Sequence, residues 1–193
     1  MITIVSGIPR SGTSLMMQML SAGGMPLLTD DSRVPDRNNP RGYCEWAPIK
    51  SLFRSPETIA AAEEQAVKVI SSLLPALSNQ HQYRVIFMCR SLEEIVASQN
   101  KMLDRLGKAV PSTPTESVAA TFRSHLEHIR TWLAQQPNMF VLYLEYADVL
   151  KQPQETARIV SVFLERALDI EAMSRQVEQS LHHENVDLSL QAT

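Results

Sequence analysis

Cysteine is scarce in this chain, with two in 193 residues, and that excludes the disulfide framework on which small secreted domains rely. Cys89 closes a strongly apolar run where a buried thiol belongs, so both cysteines read as reduced and the expected location is cytoplasmic. Long hydrophobic runs are missing as well. Arg10 and its neighbouring glycines and proline interrupt the first twenty residues, and no charged segment leads into an unbroken apolar stretch, so neither an export signal nor a membrane span is expected. Excess positive charge is absent: the formal net charge is −3, which carries no nucleic-acid signature. Metal-ligand spacing is absent too, because His125 and His128 stand at i, i+3 and His182 and His183 are adjacent, each pair without a third ligand. No internal repeat or low-complexity tract appears.

What remains is an ordinary globular composition, 44% apolar and 20% charged, of a length that suits a single domain over residues 1–193 with room for a five-stranded α/β sheet. Arginine outnumbers lysine by 13 to 5, and Arg33, Arg37 and Arg41 recur through a turn-rich stretch where they either bind an anion or form a solvated basic loop.

The most informative segment is Gly7-Ile8-Pro9-Arg10-Ser11-Gly12-Thr13-Ser14. An apolar run, Ile2 to Val5, precedes it, and Leu15, Met16, Met19 and Leu20 follow at helical spacing. The order predicts a strand, a tight glycine loop and a helix whose N-terminus adds partial positive charge, which together cradle a phosphate-sized anion. In the nucleotide-binding loop G-x-x-x-x-G-K-[ST] a lysine follows the second glycine; here Thr13 stands there, and the cation is Arg10 inside the loop. Met16, Met17 and Met19 read as core packing.

Further along, Gly23-Gly24 ends that helix and Met25 to Leu28 suggests a short second strand. Pro56-Glu57 opens an alanine-rich helix, and Ala66 to Ile70 is read as a strand, with a helical continuation as the alternative. Tyr83 to Cys89 predicts a buried parallel strand, followed by a helix from the capping pair Ser91 and Glu94 to about Leu106. Thr113, Pro114 and Glu116 open another helix ending near Pro137. Met139 to Leu144 is expected to be a last buried strand, and Pro153 starts a helix to about Arg166. Alternation of strands and helices gives the expected class: three-layer α/β/α with a central, mainly parallel sheet, whose ligands sit at the carboxyl ends of the strands. Gly7, Arg90 and Glu145 all fall at such ends. Arg90 stops a strand and Ser98 lies two turns into the next helix, so the pair can address one anion.

The succession GIPRSGTS, RSLEEIVAS and YLEYADVLKQP ahead of IVSVFL resembles the sulfotransferases that use 3′-phosphoadenosine-5′-phosphosulfate (PAPS), with the P-loop nucleoside-triphosphate-hydrolase-like fold of that family. SGIPRSGTS, NNPRGYCEW, VKVI and YRVIFMCRSLEEIVASQNKML look most like a small bacterial group within it. The resemblance implies that Arg10, Ser11, Gly12, Thr13 and Ser14 hold the 5′-phosphosulfate and that Arg90 and Ser98 hold the 3′-phosphate, leaving 3′,5′-adenosine diphosphate (PAP) as product. Lys68 in VKVISSLLP looks like the lysine of the K-T-H segment of cytosolic sulfotransferases, and Ile70 stands where those enzymes place a histidine. A lysine inside an apolar strand needs a partner or a ligand to face; if AVKVI is helical instead, Lys68 is merely exposed.

The general base is open. Asp31, in TDDSR, matches a G-E-E-T-R segment of protein-tyrosine sulfotransferases; Glu45, in the turn NPRGYCE, is the rival; a histidine or no base is the third possibility. The implied reaction is in-line sulfonate transfer to a hydroxyl, less readily an amine, with Arg10 and Lys68 stabilising charge and no metal needed. Two other readings compete: a P-loop kinase or nucleotide hydrolase, against which Thr13 stands, and a non-catalytic nucleotide-binding module, kept open by Ile70. The acceptor and the oligomeric state are not legible.

Overall fold

The computed structural model describes residues 1–30, 35–36, 39, 42–108 and 115–177, with only the backbone of Thr115. Four strands, β1 (Ile2–Ser6), β2 (Ala66–Lys68), β3 (Tyr83–Cys89) and β4 (Met139–Glu145), form one sheet in the order β2-β1-β3-β4, with every pairing parallel. Parallel neighbours require crossovers, and helices supply them. They are α1 (Thr13–Ala22), α2 (Leu92–Arg105), α3 (Thr115–Leu133), α4 (Tyr146–Lys151) and α5 (Pro153–Leu164), with a further helical segment at 170–177.

The strands alternate between two buried layers. Ile2, Ile4, Val67, Val69, Val85 and Phe87 pack on one face with Ile129 and Leu133 of α3. Val5, Ala66, Ile86 and Met88 pack on the other with Leu15, Met16, Met17, Met19 and Leu20 of α1 and Val160 and Leu164 of α5. The three α1 methionines are fully buried, as their spacing requires.

Four expectations change. Met25 to Leu28 is not a strand but a single bridge, Leu27 to Ala66, flanked by bonds from Ala66 N to the Pro26 carbonyl and from Leu28 N to the Ala66 carbonyl. Pro26 has no N–H to extend that ladder, so the described sheet has four strands where five were expected. β2 spans three residues, not five, although Val69 N still reaches the Val5 carbonyl and Ser71 N the Gly7 carbonyl. The alanine-rich helix is a 3₁₀ helix, Pro56–Ala62. β4 is an edge strand, with Phe140 and Tyr143 partly exposed, because nothing described pairs on its outer side.

The capping pair is half formed: the Ser91 hydroxyl accepts from Glu94 N at 3.2 Å, while the Glu94 carboxylate turns to Arg90. Thr113 and Pro114, expected to open α3, lie outside the described residues, and α4 went unread in the sequence.

Candidate active site

The glycine loop begins where β1 ends, and its first residue has no room for a side chain. A Cβ on Gly7 would lie 2.4 Å from Ser11 Oγ and 2.8 Å from the Met88 carbonyl oxygen, so the loop is pressed against the end of β3. The chain then turns through left-handed conformations at Arg10 (φ 74°) and Gly12 (φ 102°), with Ser11 N donating to the Ile8 carbonyl at 3.2 Å. Helix α1 starts at Thr13 with no side-chain cap. Its first-turn N–H groups, those of Thr13 and Ser14 among them, therefore have no intrahelical acceptor. The Ser11 hydroxyl is fully buried and has no hydrogen-bond partner among the described residues, whereas buried hydroxyls are otherwise almost always bonded. An orphaned hydroxyl in a loop leading to an uncapped helix N-terminus fits an anion of phosphate size.

The cations converge on this loop. Arg10 Nε donates to Ser98 Oγ on α2 at 3.0 Å, and Arg90 Nη1 donates to the Arg10 carbonyl at 3.3 Å. The loop thus bridges Arg90 and Ser98, which were expected to meet through a ligand. Arg90 is further fixed by Glu94 Oε2 at 2.8 Å and by the Tyr146 ring, whose centroid lies 4.4 Å from its guanidinium carbon. The same ring lies against Gly12, where a Cβ would come within 2.5 Å of Tyr146 Cδ2.

Lys68, read either as a strand residue or as an exposed helical one, is on β2 and only 7% exposed. Its ammonium donates to Ser14 Oγ at 2.8 Å and to the Tyr43 carbonyl. It therefore faces the start of α1 and the strap that crosses it. Gln18 of α1 holds that strap through Asn39 Oδ1 and the Gly42 carbonyl, each at 3.3 Å. Glu45 lies two residues beyond Tyr43 and is anchored through its carbonyl, which accepts from Thr29 Oγ1 and Asp30 N. Asp31, the other carboxylate considered as base, lies outside the described residues, as do Arg33, Arg37, Arg41, His182 and His183.

On the α3 face of the sheet, a cleft of about 240 Å³ opens at the carboxyl ends of β3 and β4, lined among others by Ile8, Cys89, Arg90, Leu126, Arg130 and Glu145. Nearby, His125 Nε2 of α3 meets Ser71 Oγ at 2.8 Å, and burial lowers the imidazole pKa, with His128 adding to the effect. Among the described residues, no group of three or more His, Cys, Asp or Glu is placed to hold a metal ion, and no helix is long and apolar enough to cross a membrane. Tyr146, Arg130 and the Ser71–His125 pair were missed in the sequence. Only Tyr146 left a signal there, in the YLEYAD segment that follows the last apolar run.

A protein-family model described as the sulfotransferase domain matches residues 2–185. The chain belongs to the sulfotransferase family. This sulfotransferase domain is 27% identical over 201 residues to mouse sulfotransferase 1A1 and 24% identical over 200 residues to the rat protein, in each case over 93% of this chain and 64% of the relative. It thus spans slightly less than two thirds of the length of these curated relatives. Among solved structures, it is similar to a retinol dehydratase in complex with androsterone and the inactive cofactor PAP, with a TM-score of 0.52 and 16% identity over 91% of this chain and 63% of that one. The sulfotransferase domain of the curacin biosynthetic pathway gives a TM-score of 0.50 and 15% identity, over 89% of this chain and 76% of that one. At such identities the likeness is one of fold, the parallel α/β architecture of these sulfotransferase structures.

Proposed function

We propose that the chain acts as a single domain that transfers the sulfonate of PAPS to an acceptor hydroxyl, less readily an amine, and releases PAP. The observation that carries this reading is the joining of three cationic side chains at one glycine loop: Arg10 within it, Arg90 on its carbonyl and Lys68 on Ser14. The donor brings an activated sulfonate on a 5′-phosphate. The chain's own part is to bind, orient and stabilise charge. In this reading the N–H groups of Gly12, Thr13 and Ser14, with the Ser11 and Ser14 hydroxyls, hold the 5′-phosphosulfate. Arg10 and Lys68 stabilise the negative charge that grows on the bridging oxygen as its bond to sulfur breaks, while Arg90 and Ser98 take the 3′-phosphate. The acceptor proton passes to a carboxylate, for which Asp31 and Glu45 are the candidates.

PAP in the retinol dehydratase complex supports the nucleotide assignment, and the androsterone in the same complex agrees with a hydroxyl-bearing acceptor. Two cysteines that form no disulfide suit a reducing, cytoplasmic setting, and the motifs shared with the small bacterial group suit a bacterial origin.

The deciding experiment is calorimetric titration with PAP beside ADP and ATP, with and without magnesium, on the wild type and Arg90→Ala. Magnesium-independent binding of PAP, weakened about tenfold or more by Arg90→Ala, is expected. Preference for magnesium-ATP would sink the proposal in favour of a kinase-like protein.

A further inference from the structure

Six arginines on the described surface pair with carboxylates: Arg84 with Glu165, Arg90 with Glu94, Arg123 with Glu116, Arg158 with Glu155, Arg166 with Glu64 and Arg175 with Glu171. Arg130 does not. Its contacts are Cys89 Sγ, 3.3 Å from Nη2, and the Tyr143 ring, whose centroid lies 5.2 Å from the guanidinium carbon. Neither partner cancels its charge, because burial raises the Cys89 thiol pKa, as it does that of the Tyr143 phenol, and both stay neutral near pH 7. Glu145 lines the same cleft but forms no ion pair with Arg130. A guanidinium with one face against an aromatic ring and one edge on a thiol is held in place while its remaining N–H groups stay available. The cleft it lines is also lined by Arg90 and Ser91, at the mouth of the loop that carries Arg10 and Ile8.

We propose that Arg130, reaching from α3 across the ends of β3 and β4, is a second guanidinium ligand of the anion held at Arg90. This rests on the donor-site reading above, in which that anion is the 3′-phosphate. Arg90 alone is a weak anchor for a doubly charged group: its Nε is committed to Glu94 and one Nη1 bond goes to the Arg10 carbonyl. A second guanidinium lining the same cleft supplies the missing charge, and its place on α3 makes that helix part of nucleotide discrimination.

The test compares binding of PAP with that of adenosine 5′-monophosphate, which lacks the 3′-phosphate, to the full chain as wild type, Arg130→Gln, Arg130→Lys and Arg90→Ala, with circular dichroism to confirm folding. The side chain of Arg130 is exposed and its removal leaves Ile129 and Leu133 in the core. Arg130→Gln should weaken PAP about tenfold and leave the monophosphate unchanged, with Arg130→Lys intermediate because it keeps the charge but not the fork. If Arg90→Ala weakens PAP selectively while Arg130→Gln does not, the role of Arg130 is overturned and the donor site stands. If the wild type fails to prefer PAP to the monophosphate, the donor-site reading falls as well.

Discussion

Lys68 and Gly12 show how far single residues determine the site. In the sequence, Lys68 was compatible with a buried strand or an exposed helix; its ammonium on Ser14 Oγ and the Tyr43 carbonyl resolves the ambiguity through tertiary partners that no local pattern encodes. Lys68→Met should keep PAP affinity within about threefold and lower sulfonate transfer by a factor on the order of one hundred, as loss of one preorganised charge contact does; equal loss of binding and turnover would reassign the residue to nucleotide binding. Gly12 was legible as a motif glycine, but its second constraint was not, since Tyr146 lies 134 positions away in the chain and closes on it only in the folded state. With φ at 102° and a Tyr146 ring carbon 2.5 Å from the would-be Cβ, Gly12→Ala should destabilise the fold by about 1–3 kcal/mol, read from urea unfolding. Unchanged stability would mean that the ring moves aside freely. Asp31 and Glu45 could not be separated from residue type alone, because a base is identified by its distance to the acceptor rather than by its chemistry.

Among the elements, those with strong periodicity were legible and those defined by their neighbours were not. The apolar run of β3 and the Ser91 cap of α2 are local signals, and both elements form where expected. The position of β4 at the sheet edge depends on what lies beside it, which its own MFVLYL sequence does not specify. Helix α3 illustrates the same point, for besides the packing of Ile129 and Leu133 it is tied down through His125 to Ser71, whose N–H bonds the Gly7 carbonyl. Burial, followed by the charge of His128, lowers the His125 pKa from its ordinary 6.5, so the folded state favours the neutral ring. Its contribution to stability is present above pH 6.5 and fades as pH falls through the lowered value. Melting temperature should therefore decline as pH drops below 6.5, and His125→Gln should flatten that decline; identical pH profiles for the two proteins would remove the imidazole from the account.

Across the whole molecule, the two apolar layers on either side of a parallel sheet follow from alternating strands and helices, which is why the architecture was legible before any contact was known. The alkaline limit of stability has a named source in one of those layers. Tyr83 is fully buried, its hydroxyl donates to the Ser78 carbonyl at 2.8 Å, and burial pushes its pKa up to about 12. The protonated phenol therefore favours the folded state below pH 10, and that preference is lost as pH rises towards 12, a loss of roughly 2–3 kcal/mol. Tyr83→Phe should remove this slope from denaturation curves taken across that range. The three-residue strand β2 has a quieter consequence for how this sheet assembles. Val67 and Val69 enter one apolar layer while Lys68 points to the opposite face, towards α1. Because strand side chains alternate, a shift of one residue would drive the ammonium into the apolar layer that Val67 and Val69 now fill and pull both valines out of it. The lysine proposed to act in transfer thus also proofreads assembly, since a misaligned competitor would be rejected by its own buried charge.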